Sequence, residues 1–229
     1  MRVLIMAGGL GTRLRPVIGD SVPKPMADVN GRPFLEWLLL LLREKGFRDF
    51  VISVGYRREV IMRHLGDGSS LGLRIEYSVE EEPLGTGGAL RRAMPLLHGE
   101  DFLVVNGDTY VDVEIQDLIE FHRSRRVPVT IGLVKVSSPV KGGFADLGAD
   151  GVIRAFREGV GTGLMNAGVM AVGPGIWDFL PDATKFSLET DLLPSLARRG
   201  LLNGIVLRGR IIDIGTPEGY ALAREVIGR

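Results

Sequence analysis

"RVLIMAGGLGTRLRPVIGDSVPKPM" occupies residues 2–26. Its first five residues form an apolar, strand-like run. Residues 7–26 are irregular, with glycines at Gly8, Gly9, Gly11 and Gly19, arginines at Arg13 and Arg15, and Lys24 held between Pro23 and Pro25. Glycines placed straight after a strand remove side chains where a ligand must come close, and their amides can point at phosphate oxygens. The two prolines fix φ on either side of Lys24 and limit how far its backbone can wander. Arginine offers a planar fork to terminal phosphates, and lysine a compact charge suited to a phosphoryl centre. The stretch therefore reads as a strand leading into a triphosphate-binding loop. It is not a Walker A loop, because it lacks the Gly-Lys-Ser/Thr ending, nor a dinucleotide fingerprint, because Leu14 stands where a third glycine is required.

Outward from this stretch, strand-like apolar runs at 2–6, 50–54, 73–78, 102–106, 129–134 and 167–172 alternate with helical patterns at 33–46, 58–66, 87–97 and 114–125. A βαβα order whose strands are apolar on both faces predicts an α/β fold, a Rossmann-like three-layer α/β/α arrangement around a mainly parallel mixed sheet. In such sheets the ligand lies beyond the carboxyl ends of the strands. Residues 144–157 are β-prone on both sides of Asp150-Gly151, a favoured two-residue turn, and predict a small antiparallel hairpin excursion. Thr216 and Pro217 read as the N-cap and first residue of a C-terminal helix. No repeat, low-complexity tract or charged linker interrupts the 229 residues, so one domain over 1–229 is expected.

Composition narrows the function classes. Lys+Arg and Asp+Glu balance at 28 each, which gives no basic surface for nucleic acid or anionic membrane. With no cysteine, disulfides, thiolate metal sites and a cysteine nucleophile are excluded. The longest apolar run, Trp37 to Leu42, falls far short of the ~20 residues that span a bilayer. The apolar segment at the N-terminus is too short for a signal-peptide core, and a cytoplasmic location is the expectation.

Two further segments carry chemistry. "FLVVNGD" (102–108) ends a buried-type strand in Gly107-Asp108, placing a carboxylate where an open sheet binds its ligand. Mg²⁺ takes oxygen ligands, typically one or two carboxylates plus substrate phosphates, and Asp213 in "RIIDIGTP" is the second candidate acid. His64, His98 and His122 stand singly on helical patterns and read as solvated. In "EEEPLGTGGAL" (80–90), Gly85, Gly87 and Gly88 open a helix and read as a second place of close ligand approach.

With these segments in view, the chain resembles the sugar-phosphate nucleotidyltransferases, which transfer a nucleoside monophosphate from a triphosphate to a sugar 1-phosphate. "AGGLGTRLRPVI" and "PKPM" carry the likeness, with "EPLGTGGAL" (82–90), "VVNGDTYVD" (104–112), "DGVIRAF" (150–156), "NAGV" (166–169), "FSLETDLLP" (186–194) and "IDIGTPEGY" (212–220). The resemblance implies Arg13 and Lys24 as catalytic residues. It implies Ala7, Gly8, Gly9, Gly11, Thr12, Glu80, Gly85, Thr86 and Gly107 as the nucleotide site, Gly143, Glu158 and Asn166 as the sugar site, and Asp108 and Asp213 as the pair that holds Mg²⁺. It further implies GTP as the donor, with the Glu80 carboxylate placed to accept both N1–H and N2–H of guanine, D-glycero-α-D-manno-heptose 1-phosphate as the acceptor with mannose 1-phosphate or another hexose 1-phosphate as the alternative, and a homo-oligomer. One departure stands out. The family commonly has Glu-Lys where this chain has Glu158-Gly159, and Tyr-Gly where it has Gly142-Gly143. That lysine helps hold the sugar's phosphate, and Lys141, Arg154 and Arg157 are the substitutes left open. A non-catalytic, nucleotide-sugar-sensing relative would have lost the loop arginine, the lysine or a metal acid, all of which are present. A metal-dependent glycosyltransferase would want an acid at Asn106.

Overall fold

The computed structural model describes residues 1–97 and 99–228. Its strands are β1 (Val3–Met6), β2 (Asp28–Val29), β3 (Arg32–Pro33), β4 (Asp49–Val54), β5 (Arg74–Val79), β6 (Phe102–Asn106), β7 (Thr109–Val113), β8 (Val129–Leu147), β9 (Ile153–Val172), β10 (Leu202–Val206) and β11 (Gly209–Asp213). Its α-helices are α1 (Arg15–Ile18), α2 (Phe34–Glu44), α3 (Arg58–Leu65), α4 (Gly85–Ala93), α5 (Ile115–Arg125), α6 (Leu193–Arg198) and α7 (Pro217–Val226). A seven-stranded sheet runs β10-β8-β9-β6-β1-β4-β5, parallel throughout except that β9 lies antiparallel to both neighbours. The predicted α/β class and mainly parallel mixed sheet are what the chain forms.

Strand alternation builds the three layers. Val3 and Ile5 of β1 face one core with Leu38, Leu39 and Leu42 of α2, Ile61 of α3 and Leu118 of α5. Leu4 faces the other core with Leu90 of α4 and Leu193 and Leu196 of α6. A third, smaller core gathers Leu14 from the glycine loop, Phe34, Ile212 and Ile214 under Tyr220 and Ala223 of α7. As expected, the Thr216 hydroxyl caps α7, accepting from the Gly219 amide at 3.1 Å. No helix of the described residues is long and apolar enough to cross a membrane.

The antiparallel excursion at 144–157 is the tip of a much longer device. β8 and β9 pair from Val129–Val172 at the base to Leu147–Ile153 at the tip, with register shifts that let the ladder bend. The tip is not a two-residue turn either. The Gly151 amide bonds the Gly148 carbonyl at 2.9 Å, and the Gly148 amide bonds the Val152 carbonyl at 2.9 Å. Gly151 alone has positive φ, at 80°, so this is a three-residue loop with a glycine bulge. His122 also departs from expectation. It is 3% exposed and bonds the Thr130 hydroxyl through Nδ1 at 2.8 Å, and burial pulls its pKa down. Thr130 sits on β8 across from α5 and gives the ring a partner that helix periodicity alone does not reveal. His64 pairs with Glu36 at 2.7 Å, and His98 lies outside the described residues.

Strand order reverses at β1 and β6, where β4 continues on one side and β9 on the other. A crevice opens at the carboxyl ends of such a pair. Gly107 holds it together. Its amide bonds the Met6 carbonyl at 3.0 Å, and a Cβ there would stand 2.8 Å from that same oxygen. Only a residue without a side chain lets the two strand ends approach this closely.

Candidate active site

The loop after β1 is pinned at both ends. The Ala7 amide bonds the Ser53 carbonyl at 2.9 Å, and Leu14 is fully buried in the third core. Gly11 turns with φ of 60°, and a Cβ there would stand 2.7 Å from Cβ of Lys24. Pro23 is extended, Lys24–Met26 form a single 3₁₀ turn, and the Ala27 amide closes on the Lys24 carbonyl at 3.0 Å. This turn sets the Lys24 ammonium on the Asp108 carboxylate, with 13% of the lysine side chain exposed.

Two cavities flank Asp108. The first, of about 290 Å³, is lined by Gly8, Gly9, Glu80, Gly85, Thr86 and Asp108, together with Ser53, Asn106 and Glu189. Glu80 is 8% exposed at its floor. Its Oε1 accepts from the Ser53 hydroxyl at 2.8 Å and its Oε2 from the Leu84 amide at 3.2 Å. A Cβ on Gly8 would lie 2.6 Å from Oε1, so the absent side chain keeps this carboxylate in place.

The second cavity, of about 320 Å³, is lined by Arg13, Asp108, Lys141, Gly143, Glu158, Asn166, Glu189 and Asp213. β11 pairs antiparallel with β7, and the Ile214 amide bonds the Asp108 carbonyl at 3.0 Å, which brings the two acids to one end of that ribbon. Burial raises the Asp213 pKa, and the Asp108 charge raises it further. The Gly215 amide, bonded at 2.6 Å, and the charges of Lys24 and Arg13 act in the opposite direction. The Glu158 carboxyl is likewise raised, first by burial and then by Glu189, against Lys141 and Arg13.

The structure thus brings together the predicted Arg13, Lys24, Asp108 and Asp213, and sets Glu80 and Glu158 in separate cavities. Ala7, Gly11, Thr12, Lys24 and Gly107 line neither cavity. Ala7, Gly11 and Gly107 shape the backbone around the site, and Thr12 is exposed. Arg15 turns away to stack over Tyr56, 5.0 Å from the ring centroid. The glycines of 85–88 admit chain as well as ligand. A Cβ on Gly85 would lie 2.5 Å from the Phe186 carbonyl oxygen, one on Gly88 2.5 Å from the Thr184 carbonyl oxygen, and one on Gly87 inside the Phe186 ring. Of the three, Gly85 alone lines the first cavity.

Two residues that sequence patterns did not single out belong to the site. Asn106 and Glu189 line both cavities. Oε2 of Glu189 accepts from the Thr86 hydroxyl at 2.6 Å and from the Ser187 hydroxyl at 2.9 Å, while the Thr86 hydroxyl accepts from the Leu188 amide at 2.8 Å. Ser187 caps the turn that presents Glu189, accepting from the amides of Glu189 and Thr190. A serine leading into acids in the first turn was the available signal.

Comparison with known proteins identifies the family. The family model described as nucleotidyl transferase matches residues 2–227. A D-glycero-alpha-D-manno-heptose 1-phosphate guanylyltransferase of Campylobacter jejuni is 33% identical over 222 residues, covering 96% of this chain and 97% of the relative. A mannose-1-phosphate guanylyltransferase of Mycobacterium tuberculosis is 36% identical over 222 residues, and the match spans 62% of that protein's length. Among solved structures, HddC from Yersinia pseudotuberculosis superposes with a TM-score of 0.83 at 35% identity over 98% of both chains. HddC has also been solved in complex with GMP-PN.

Proposed function

We propose that this chain, which belongs to the nucleotidyl transferase family, transfers GMP from GTP to an α-D-manno-configured sugar 1-phosphate. The heptose is the acceptor of choice because a heptose 1-phosphate guanylyltransferase matches over nearly its whole length, and mannose, which differs in one exocyclic carbon, is the alternative. One observation carries the reading: two cavities, one floored by the buried Glu80 carboxylate and one walled by Glu158 and Asn166, meet at Asp108 beside Lys24. A fixed carboxylate matches the adjacent N1–H and N2–H donors of guanine. Adenine, uracil and cytosine offer no such pair of ring and exocyclic donors on one edge.

An oxygen of the acceptor's phosphate attacks the α-phosphorus in line, a P–O bond forms there, and the bond to the β-phosphate bridging oxygen breaks as pyrophosphate leaves. A phosphate monoester is already a nucleophile at neutral pH, so the site has no need of a general base. Its work is positioning and charge neutralisation. Lys24 meets the α-phosphoryl group, and Arg13 with the loop amides meets the leaving phosphates. Asp108 and Asp213 fit a hard divalent cation. Both offer oxygen ligands and face one end of the ribbon, and burial together with the neighbouring Asp108 charge raises the Asp213 pKa, a cost that a bound cation would relieve. When bound, Mg²⁺ supplies further charge neutralisation around the reacting phosphates.

The test is pyrophosphate release with Mg²⁺ across GTP, ATP, CTP, UTP and dTTP against heptose, mannose and glucose 1-phosphates. Release confined to GTP with a manno-configured acceptor is expected. Release with another base, or silence across the whole matrix, overturns the proposal.

A further inference from the structure

The second cavity has an unusual charge balance for a place that must receive a phosphate. Four carboxylates, Asp108, Glu158, Glu189 and Asp213, face it, against the cations Arg13 and Lys141. Lys24 does not line it, and its ammonium pairs with Asp108. Arg13 stands at the Asp213 end, where its Nη2 lies 3.1 Å from the Cβ that Gly215 lacks. Lys141 stands at the far end beside Glu158, whose pKa its charge lowers, and it has no ion-pair partner among the described residues.

The β8–β9 register explains why this lysine is aimed inward. Lys141 pairs with Val160 and Gly143 with Glu158. Residues two apart on a strand share a face, so Lys141 and Glu158 are diagonal neighbours on one face of the ladder. Gly143 between them carries no side chain, and a Cβ there would lie 3.2 Å from Oε2 of Glu158. The other basic residues of the hairpin are placed elsewhere. Arg154 is held by Asp150 at 2.5 Å near the tip, and Arg157, next to Glu158 in sequence, belongs to the opposite face.

We propose that Lys141 binds the 1-phosphate of the acceptor, while Glu158 takes the sugar's hydroxyls. This rests on the nucleotidyltransferase reading and deepens it by naming the residue that recognises the acceptor's charge. A dianion drawn in by Lys141 is brought up to the Asp108 end, where the proposed function puts the α-phosphorus, and Arg13 at the Asp213 end is left for the leaving phosphates.

The experiment measures KM for mannose 1-phosphate and for GTP in the wild type, Lys141→Ala, Lys141→Gln and the exchange Lys141→Val with Val160→Lys. Calorimetric titration of mannose 1-phosphate is run on each protein in parallel. Loss of one charge-assisted contact should raise the acceptor KM roughly 10- to 100-fold, with the GTP KM within about twofold and Tm unchanged. Val160 is 74% exposed and directly opposite, so the exchange moves the cation across one rung and should recover most of the loss. An acceptor KM unchanged in Lys141→Ala and Lys141→Gln, or a GTP KM that rises in step with it, overturns the proposal. If the wild type turns over no sugar phosphate, the functional reading fails by itself and calorimetry decides for Lys141. Weaker binding in both single variants then supports the assignment. Equal binding, or none in any of the proteins, overturns it.

Discussion

Glu80→Gln tests the proposed base reading apart from everything else in the site. Each carboxylate oxygen of Glu80 has one inward partner, the Ser53 hydroxyl at 2.8 Å and the Leu84 amide at 3.2 Å. A carboxylate offers about four lone-pair sites, so about two remain for a ligand in the first cavity. A glutamine settles without strain. Its amide nitrogen turns to Ser53, whose hydroxyl can reverse and accept, and its oxygen keeps the Leu84 amide, so the fold should lose under about 1 kcal/mol. Toward the cavity, however, the amide nitrogen now presents a donor where guanine presents one too. One charge-assisted hydrogen bond is lost, about 1.5–3 kcal/mol, and one buried donor is left unmatched, about 1–3 kcal/mol. At about 1.36 kcal/mol per decade the sum predicts a fall in kcat/KM for GTP of roughly 10²- to 10⁴-fold. ATP and UTP, which do not use both acceptors, should change little. Pyrophosphate-release kinetics on the three nucleotides, with a thermal melt as control, measure this. A variant that keeps GTP turnover within about threefold at an unchanged Tm would show that Glu80 does not read the base.

The same geometry makes other perturbations informative. Lys24→Ala removes the cation held on Asp108 and should cost on the order of 10²- to 10³-fold in kcat, with circular dichroism unchanged. Gly87→Ala drives a methyl into the Phe186 ring and should destabilise by about 1–3 kcal/mol, read as a lower Tm. His122 is buried and its folded pKa is depressed, so the unfolded chain binds the proton first as pH falls. Its contribution to stability is therefore present above about pH 6.5 and lost as pH drops from there toward the folded pKa, and His122→Gln should flatten that part of a urea-midpoint profile.

Local patterns that answer to one strand or one helix were plain in the sequence. Apolar runs located β1, β4, β5 and β6 within a residue, and Asp108 and Asp213 were found because each ends such a run. What hid was whatever depends on a partner far along the chain. The reach of β8 and β9 is set by their mutual ladder, and the exposed middle of the hairpin carries no apolar alternation to announce it. Gly87 and Gly88 looked like room for a ligand because glycine signals a close approach without saying what approaches, and here it is Phe186 and Thr184. His122 has a polar partner on β8, and one buried hydrogen bond is enough to take an imidazole out of water. Glu189 and Asn106 join the two cavities only after segments from opposite ends of the chain have met.

The β7–β11 ribbon that carries the two acids also sets when the enzyme becomes an enzyme. Asp108 and Asp213 lie roughly a hundred residues apart, whereas Gly143 and Glu158 face each other across one hairpin. Local pairings close early and distant ones late, and a chain under synthesis offers its N-terminal segments first. The β8–β9 hairpin can close while β11 is still being made, but the glycine loop lacks one of its pins until then, because Leu14 is buried against Ile212 and Ile214. The settled loop and the paired acids are thus gained together and last, and on the proposed function a nascent chain is expected to stay inert toward triphosphates until its final strand docks.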